Sequence, residues 1–437
     1  MILRKAYVLF ACFFVSGVLL TCFAQNSNES FVYGDLLPDA PELAARGSYK
    51  VGVRTIDLIH KDQIDILSQT KGLDSIYDRP LTIEVWYPAD IAESDGELVT
   101  YEEVLGNAGS KDRPLIPFTF LGRAKRDANP NTQDAAYPLV IVSHGYTGSR
   151  LLFTYLTENL ASKGYVVVSI DHTDSTFRDA GSFNSTLLNR PLDVLFVLNE
   201  MERLTNEKNS FLNGLIDTYS TGLVGFSMGG YGAINVVGAG YSQKAAEFFA
   251  SMSNGSTAIS NRLYGNAEFE ASIDPRIKAV VAFAPWGMAL GTWNADGLAG
   301  IKVPSFFIAG SEDDISGYEN GTKAIYEGAI NSDRYLLTYM NARHNVAPNP
   351  PPKEAFDTNL HIDEYLRYGD SVWDQRRLNN LNQHFVTAFL GIHLKNIQSY
   401  KTYLDVEKNA EQKSWTGFKP RTSVGIELLQ SKAQEER

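Results

Sequence analysis

One serine in this chain is fenced by glycines at a spacing suited to attack on a carbonyl: Gly225-Phe226-Ser227-Met228-Gly229. Residues 223–226 read as a short buried strand and 229–237 as the first turns of a helix, so Ser227 is expected on the corner between them. A corner that tight excludes a Cβ two residues to either side, which Gly225 and Gly229 satisfy. The helix behind Ser227 directs free N–H groups and its positive dipole end at the corner, favouring an oxyanion. With 35 glycines among 437 residues the pattern arises by chance on the order of 0.2 times, so its flanking elements and partners must carry the inference.

A serine hydroxyl needs a base, and the base needs a carboxylate to orient it. Of seven histidines, His344 follows the apolar strand expected at 335–339 and is the candidate base. His144, His172, His384, His393, His60 and His361 fit packed or solvated roles better. The strand expected at 304–309 runs into Gly310-Ser311-Glu312-Asp313-Asp314, where Asp313 is the first choice of acid and Asp314 the rival. Glu312 to Asp314 lack the spacing of a calcium loop, and no metal site is expected. For the oxyanion, Met228 N–H supplies one donor, and Tyr146 N–H, in the turn His144-Gly145-Tyr146-Thr147-Gly148, is expected to supply the second.

Such residues need a frame. Residues 50–58 and 81–87 alternate apolar and polar as antiparallel strands, the second stopped by Pro88. From Pro138 on, uninterrupted apolar strands (139–143, 165–170, 223–226, 279–283, 304–309, 335–339) alternate with helices, one of them at 191–204. That rhythm predicts an α/β fold: a mostly parallel central sheet with helices on both faces and antiparallel N-terminal strands. Ligands then bind beyond the carboxyl ends of the strands, where Ser227, Asp313 and His344 would gather. Residues 25–47 read as a flexible tether, 48–396 as the catalytic domain with a surface insertion at 90–134, and 397–437 as a weakly patterned C-terminal extension after a last helix at 373–394.

The formal charge of -12 argues against nucleic acid or an anionic membrane surface as partner. Arg4 and Lys5 precede an apolar run over 6–20 and small residues before Gln25, which reads as a signal peptide over 1–24; the run is shorter than the roughly 20 residues of a membrane span. Both cysteines, Cys12 and Cys22, lie there, so a mature chain cut after Ala24 would carry neither disulfide nor cysteine nucleophile. An uncleaved anchor is the runner-up, and lipidation at Cys22 is the minor alternative, because Thr21 departs from the usual Gly or Ala.

Ser143 to Arg150, with Leu160-Ala161-Ser162-Lys163-Gly164-Tyr165, resembles platelet-activating-factor acetylhydrolase-like and dienelactone-hydrolase-like α/β-hydrolases. Gly225 to Gly230 with Ala284-Pro285-Trp286 is similar to bacterial cutinase-type polyesterases. The order Ser, acid, His is also that of α/β-hydrolases. The resemblance implies that Tyr146 and Met228 frame the oxyanion hole and that Trp286 walls the acyl cleft. Two departures stand out: acetylhydrolases of this type carry their acid where this chain has Ala284, and dienelactone hydrolases use Cys where it has Ser227. The expectation is an exported serine hydrolase of small-molecule, lipid or polymer esters, without cofactor. An inactive binding protein and a serine peptidase on the same fold are the alternatives. Substrate choice is expected to lie in loops such as 286–301 and 90–134.

Overall fold

The computed structural model describes residues 31–68, 75–92, 98–134, 136–406 and 415–434. The leader expected at 1–24, with Cys12 and Cys22, lies outside the described residues. The fold is that of the compact unit Val32–Arg437.

Its strands run, in chain order, β1 Lys50–Ile64, β2 Ile76–Asp90, β3 Val99–Leu105, β4 Ile116–Gly122, β5 Lys125–Arg126, β6 Asn129–Pro130 and β7 Tyr137–Ser143. They continue as β8 Val166–Asp171, β9 Ile216–Phe226, β10 Ile277–Phe283, β11 Ser305–Gly310, β12 Arg334–Tyr339 and β13 Ile426–Ser431. The large sheet has the order β13-β12-β11-β10-β9-β7-β8-β2-β1-β5. It is parallel from β12 through β8, with β2 antiparallel to β8 and to β1. The expected sheet, with its antiparallel opening, is therefore present.

β7 pairs with β8 on one side and β9 on the other, so the connections leave it in opposite directions. This opens a crevice beyond its carboxyl end. Registers bring the strand ends level: Ser143 lies opposite Gly225, Phe226 opposite Phe283, Phe283 opposite Ile308, and Gly310 opposite Tyr339. Every residue proposed for chemistry thus sits on a loop at one edge.

Several expectations are corrected. β2 continues through Pro88 to Asp90, because Pro88 still accepts a hydrogen bond from Asn131 N–H and has no donor to lose. The helix expected at 191–204 spans Phe183–Asn206 and contains Pro191, so tertiary packing of Leu187, Leu188 and Val194 overrides the proline signal. The segment read as a flexible tether is packed from Val32 on: Leu37 N–H donates to Asn380 Oδ1 at 2.9 Å, Leu43 N–H to His384 Nδ1 at 3.1 Å, and Arg46 pairs with Glu158 at 2.9 Å. In the span read as a surface insertion, β3 and β4 form a hairpin with a buried face, where Trp86 Nε1–H donates to Tyr101 OH at 2.7 Å and Tyr101 OH to Glu158 at 2.9 Å. The C-terminal extension is part of the sheet: β13 lies antiparallel on β12 and buries Ile426 and Leu428.

The serine corner depends on absent side chains. A Cβ on Gly225 would stand 2.3 Å from Gly229 O, and one on Gly229 would stand 1.9 Å from Ser143 O. Both obstacles are backbone and cannot swing aside. Gly229→Ala should lower unfolding stability by about 2–3 kcal/mol, read as a fall in the urea midpoint; a midpoint unchanged from the wild type would mean the two backbones separate freely.

Candidate active site

Ser227 holds φ 52° and ψ -113°, a conformation that side chains rarely adopt. Its neighbours keep it there: Ser227 N–H donates to Phe283 O at 2.9 Å, and Ser227 O accepts from Trp286 N–H at 3.1 Å and Tyr231 N–H at 2.9 Å. The helix Met228–Val236 starts at the next residue, so Met228 N–H is among its unpaired N-terminal donors.

His344 follows β12 and Asp313 follows β11. His344 Nδ1 lies 2.9 Å and 3.0 Å from the two carboxylate oxygens of Asp313. Asp313 Oδ1 also accepts from Ile315 N–H at 3.0 Å and Ser316 N–H at 2.9 Å. Burial pushes this carboxyl up, but the hydrogen bond and charge of His344, with the two N–H donors, hold it below the usual carboxylate range. Asp314 turns the other way and accepts from Arg343 Nε at 3.2 Å. Of the two adjacent carboxyls, only Asp313 meets the imidazole. Ala284, where the resemblance would place an acid, is fully buried and gives its N–H to Ile308 O at 2.7 Å.

Ser227 and His344 line one cavity of about 250 Å³, together with Gly145, Tyr146 and Thr147. Trp286 does not line it; its ring packs edge-on to Phe183 at 5.1 Å, and Phe183 packs on Tyr146 at 5.2 Å. Of the cavity's other residues several belong to 363–371, beyond the prolines that follow His344, and none to 286–301 or 90–134, although Gly106 and Arg113 of the latter span hold Arg367, Asp363 and Glu364. A larger hollow of about 830 Å³ shares only Phe177 with this cavity. Its charges satisfy one another, Arg150 holding Glu84 at 3.0 Å and pairing with Asp171.

Behind the turn after β7 lies a buried charged network that sequence reasoning missed. Arg190 donates to His144 O, to Gly145 O at 3.2 Å and to Ser175 Oγ at 2.6 Å. In a planar trans peptide the carbonyl and N–H point opposite ways, so drawing Gly145 O toward Arg190 turns Tyr146 N–H away from it. Next to Arg190, Ser143 Oγ lies 2.8 Å from His172 Nε2, and His172 Nδ1 lies 2.9 Å from Asp193, which Arg79 holds from Nε at 2.9 Å and Nη2 at 3.1 Å. No sequence signal links Arg79, Asp193 and Arg190, which lie on β2 and the helix Phe183–Asn206.

A family model described as PET hydrolase-like matches residues 128–260, under a third of the chain, including Tyr146, Ser227 and Met228. Cutinase 2 of Thermobifida cellulosilytica is 24% identical over 221 residues, covering 51% of this chain and 65% of its own length. Cutinase est1 of Thermobifida alba is 27% identical over 218 residues, covering 50% and 56%. A bis(hydroxyethyl) terephthalate hydrolase of Streptomyces coelicolor is 24% identical over 220 residues, covering 50% and 54%. The chain thus spans between about half and two thirds of the length of these curated relatives. The solved structure of a ferulic acid esterase from Streptomyces cinnamoneus superposes with a TM-score of 0.52 at 18% identity, over 82% of this chain and 94% of that one. The fold is that of an α/β-hydrolase. The chain is similar to cutinase-type polyesterases, as the residues around Ser227 imply.

Burial makes the fold sensitive to acid. Burial, with Arg190 adding to it, lowers His172 to about 3 and holds His144 well below its ordinary value; burial, with Lys163, lowers His384 to about 3. These imidazoles stay neutral when folded and charge near pH 6.5 when unfolded, so the stability they contribute is complete above 6.5 and is lost as pH falls toward their folded values. Glu103, pushed up to about 7 by burial, and Asp171, also raised by burial, oppose this loss. Each fully buried histidine shifts the balance by on the order of 2 kcal/mol between pH 7 and 5. The histidines outweigh the carboxyls, and the urea midpoint should fall over that interval; a midpoint that holds or rises would show that the imidazoles protonate in place.

Proposed function

We propose that this α/β-hydrolase is an exported serine hydrolase that cleaves carboxylic esters through an acyl-enzyme. Ser227 Oγ attacks the ester carbonyl while His344 Nε2 takes its proton, and Asp313 holds the Nδ1–H tautomer and balances the imidazolium. The oxyanion is received by Met228 N–H and Tyr146 N–H. Collapse expels the alcohol, which takes the proton from His344. Water, deprotonated by His344, then attacks the acyl-serine, and collapse releases the acid while Ser227 Oγ takes the proton back from His344. No cofactor enters either half-reaction.

One observation carries the reading: a serine strained onto a strand-to-helix corner shares a small cavity with an imidazole whose far nitrogen rests on a buried carboxylate. The cutinase relatives support ester over peptide chemistry. Export is supported by the leader over 1–24. No helix among the described residues is long and apolar enough to cross a membrane.

Ser227→Ala should reduce turnover of 4-nitrophenyl butyrate by about 10⁴-fold or more and abolish labelling by a fluorophosphonate probe, with unchanged thermal unfolding. Undiminished hydrolysis in that variant would falsify the nucleophile. Asp313→Asn should cost about 10³–10⁴-fold in kcat, whereas Asp314→Asn should stay within a few-fold, since it loses only a surface ion pair. Equal, mild losses in the two aspartate variants would move the acid elsewhere.

A further inference from the structure

The cavity around Ser227 holds two arginines, and they differ in what they touch. Arg343 is taken by Asp314. Arg367 makes no ion pair among the described residues; its Nη1 donates to Gly106 O at 3.0 Å, and its guanidinium lies over the Phe177 ring at 5.1 Å. The neighbouring carboxylates are engaged elsewhere. Arg113 holds Asp363 at 3.0 Å and Glu364 at 2.6 Å, and Asp370 accepts the N–H groups of Arg343, Val372 and Trp373 at 2.7–2.9 Å. Asp314, Asp363 and Asp370 against Arg343 and Arg367 leave this wall one negative charge in excess, and that charge, on Asp370, is met by three N–H donors, so the open guanidinium of Arg367 and not the net charge of the wall must draw an incoming anion.

We propose that Arg367 is a carboxylate-binding residue of this site, and that the preferred substrates are small esters bearing a free carboxylate. The inference rests on the ester-hydrolase reading above. A guanidinium presents a planar fork of donors that a carboxylate matches in a bidentate fashion, and the hydrogen bond to Gly106 O leaves most of that fork open. Burial lowers the affinity of Arg367 for its proton, with Arg113 adding repulsion that Glu364 and Asp363 only partly offset, so an anion bound directly to the guanidinium would be stabilised there. Leu152, Phe177, Phe226 and Ile315 give the cavity apolar walls for a short hydrocarbon or aromatic spacer. At about 250 Å³ the cavity lies below the roughly 300–1,000 Å³ of typical ligand sites, which favours a small half-ester over a long chain enclosed along its length.

The carboxylate can belong to the acyl or to the alcohol part of the ester, and two substrate pairs separate these. Mono-4-nitrophenyl adipate is compared with 4-nitrophenyl hexanoate, and 4-acetoxybenzoate with 4-methylphenyl acetate. The wild type should favour the charged member of at least one pair. In that pair Arg367→Gln should raise KM for the charged ester by about 10- to 100-fold with kcat little changed, leave the neutral ester within about 2-fold, and be partly rescued by Arg367→Lys. Equal losses on both members, or a wild type indifferent to the carboxylate, would overturn the proposal. Calorimetric titration with adipate and with benzoate separates this failure from that of the parent reading. Binding by the wild type that is lost in Arg367→Gln, without any hydrolysis, keeps the carboxylate site and sinks the ester chemistry. Equal binding to both proteins, or none to either, sinks the site while leaving the ester chemistry standing.

Discussion

The structure depends on one close approach of backbones. Where β9 ends and the helix Met228–Val236 begins, the chain folds back so tightly that Gly225 faces Gly229 O and Gly229 faces Ser143 O at distances no Cβ tolerates. That contact fixes the end of β9 against the end of β7 and holds Ser227 at positive φ, where it lines the cavity. Packed interiors do not yield by fractions of an ångström without cost, so the corner is rigid by exclusion rather than by any strong bond. Its strain is offset by hydrogen bonds to Phe283, Trp286 and Tyr231, from three surrounding segments.

Around this corner the site divides its charges between interior and rim. Asp313 stays ionised despite burial because an imidazole and two backbone donors converge on it, whereas Asp314, one residue on, reaches only an exposed arginine. Below the turn after β7, Arg190 satisfies two carbonyls of the turn expected to bind the oxyanion, while Asp193 pairs with Arg79, meets the neutral ring of His172 and lends Arg190 its charge from a distance. A buried ionic group contributes little net stability but is costly to break, which makes such a network, in which Arg190 Nε stays unpaired among the described residues, better suited to holding a turn in one conformation than to strengthening the fold. The same logic runs along residues 363–371, where Arg113 absorbs two carboxylates and leaves Arg367 facing the cavity.

Local signals were legible where one stretch of chain decides its own conformation. The strand, serine and helix of residues 223–236 show their form in a few residues, and the parallel strands are legible as unbroken apolar runs because both their faces are covered. Pairwise outcomes were not. The helix Phe183–Asn206 begins well before Pro191 because its N-terminal half is buried by distant residues, and β13 is invisible as a strand until β12 offers it an edge. The packing of residues 32–46 across the C-terminal helix likewise comes from Asn380 and His384, more than 300 residues away.

By itself, then, the sequence determined the fold class, the strand-to-helix corner at Ser227 and a short roster of histidines and carboxyls near strand ends, because periodicity and steric exclusion act between neighbours in the chain. Which carboxyl meets His344, that the Trp286 ring packs on Phe183, that Arg190 underpins the turn at Tyr146 and that residues of 363–371 line the cavity were decided only by tertiary structure. Each of these is a contact between segments brought together by the sheet order, and hydrogen bonds and ion pairs act over a few ångströms of space, whatever the distance along the chain.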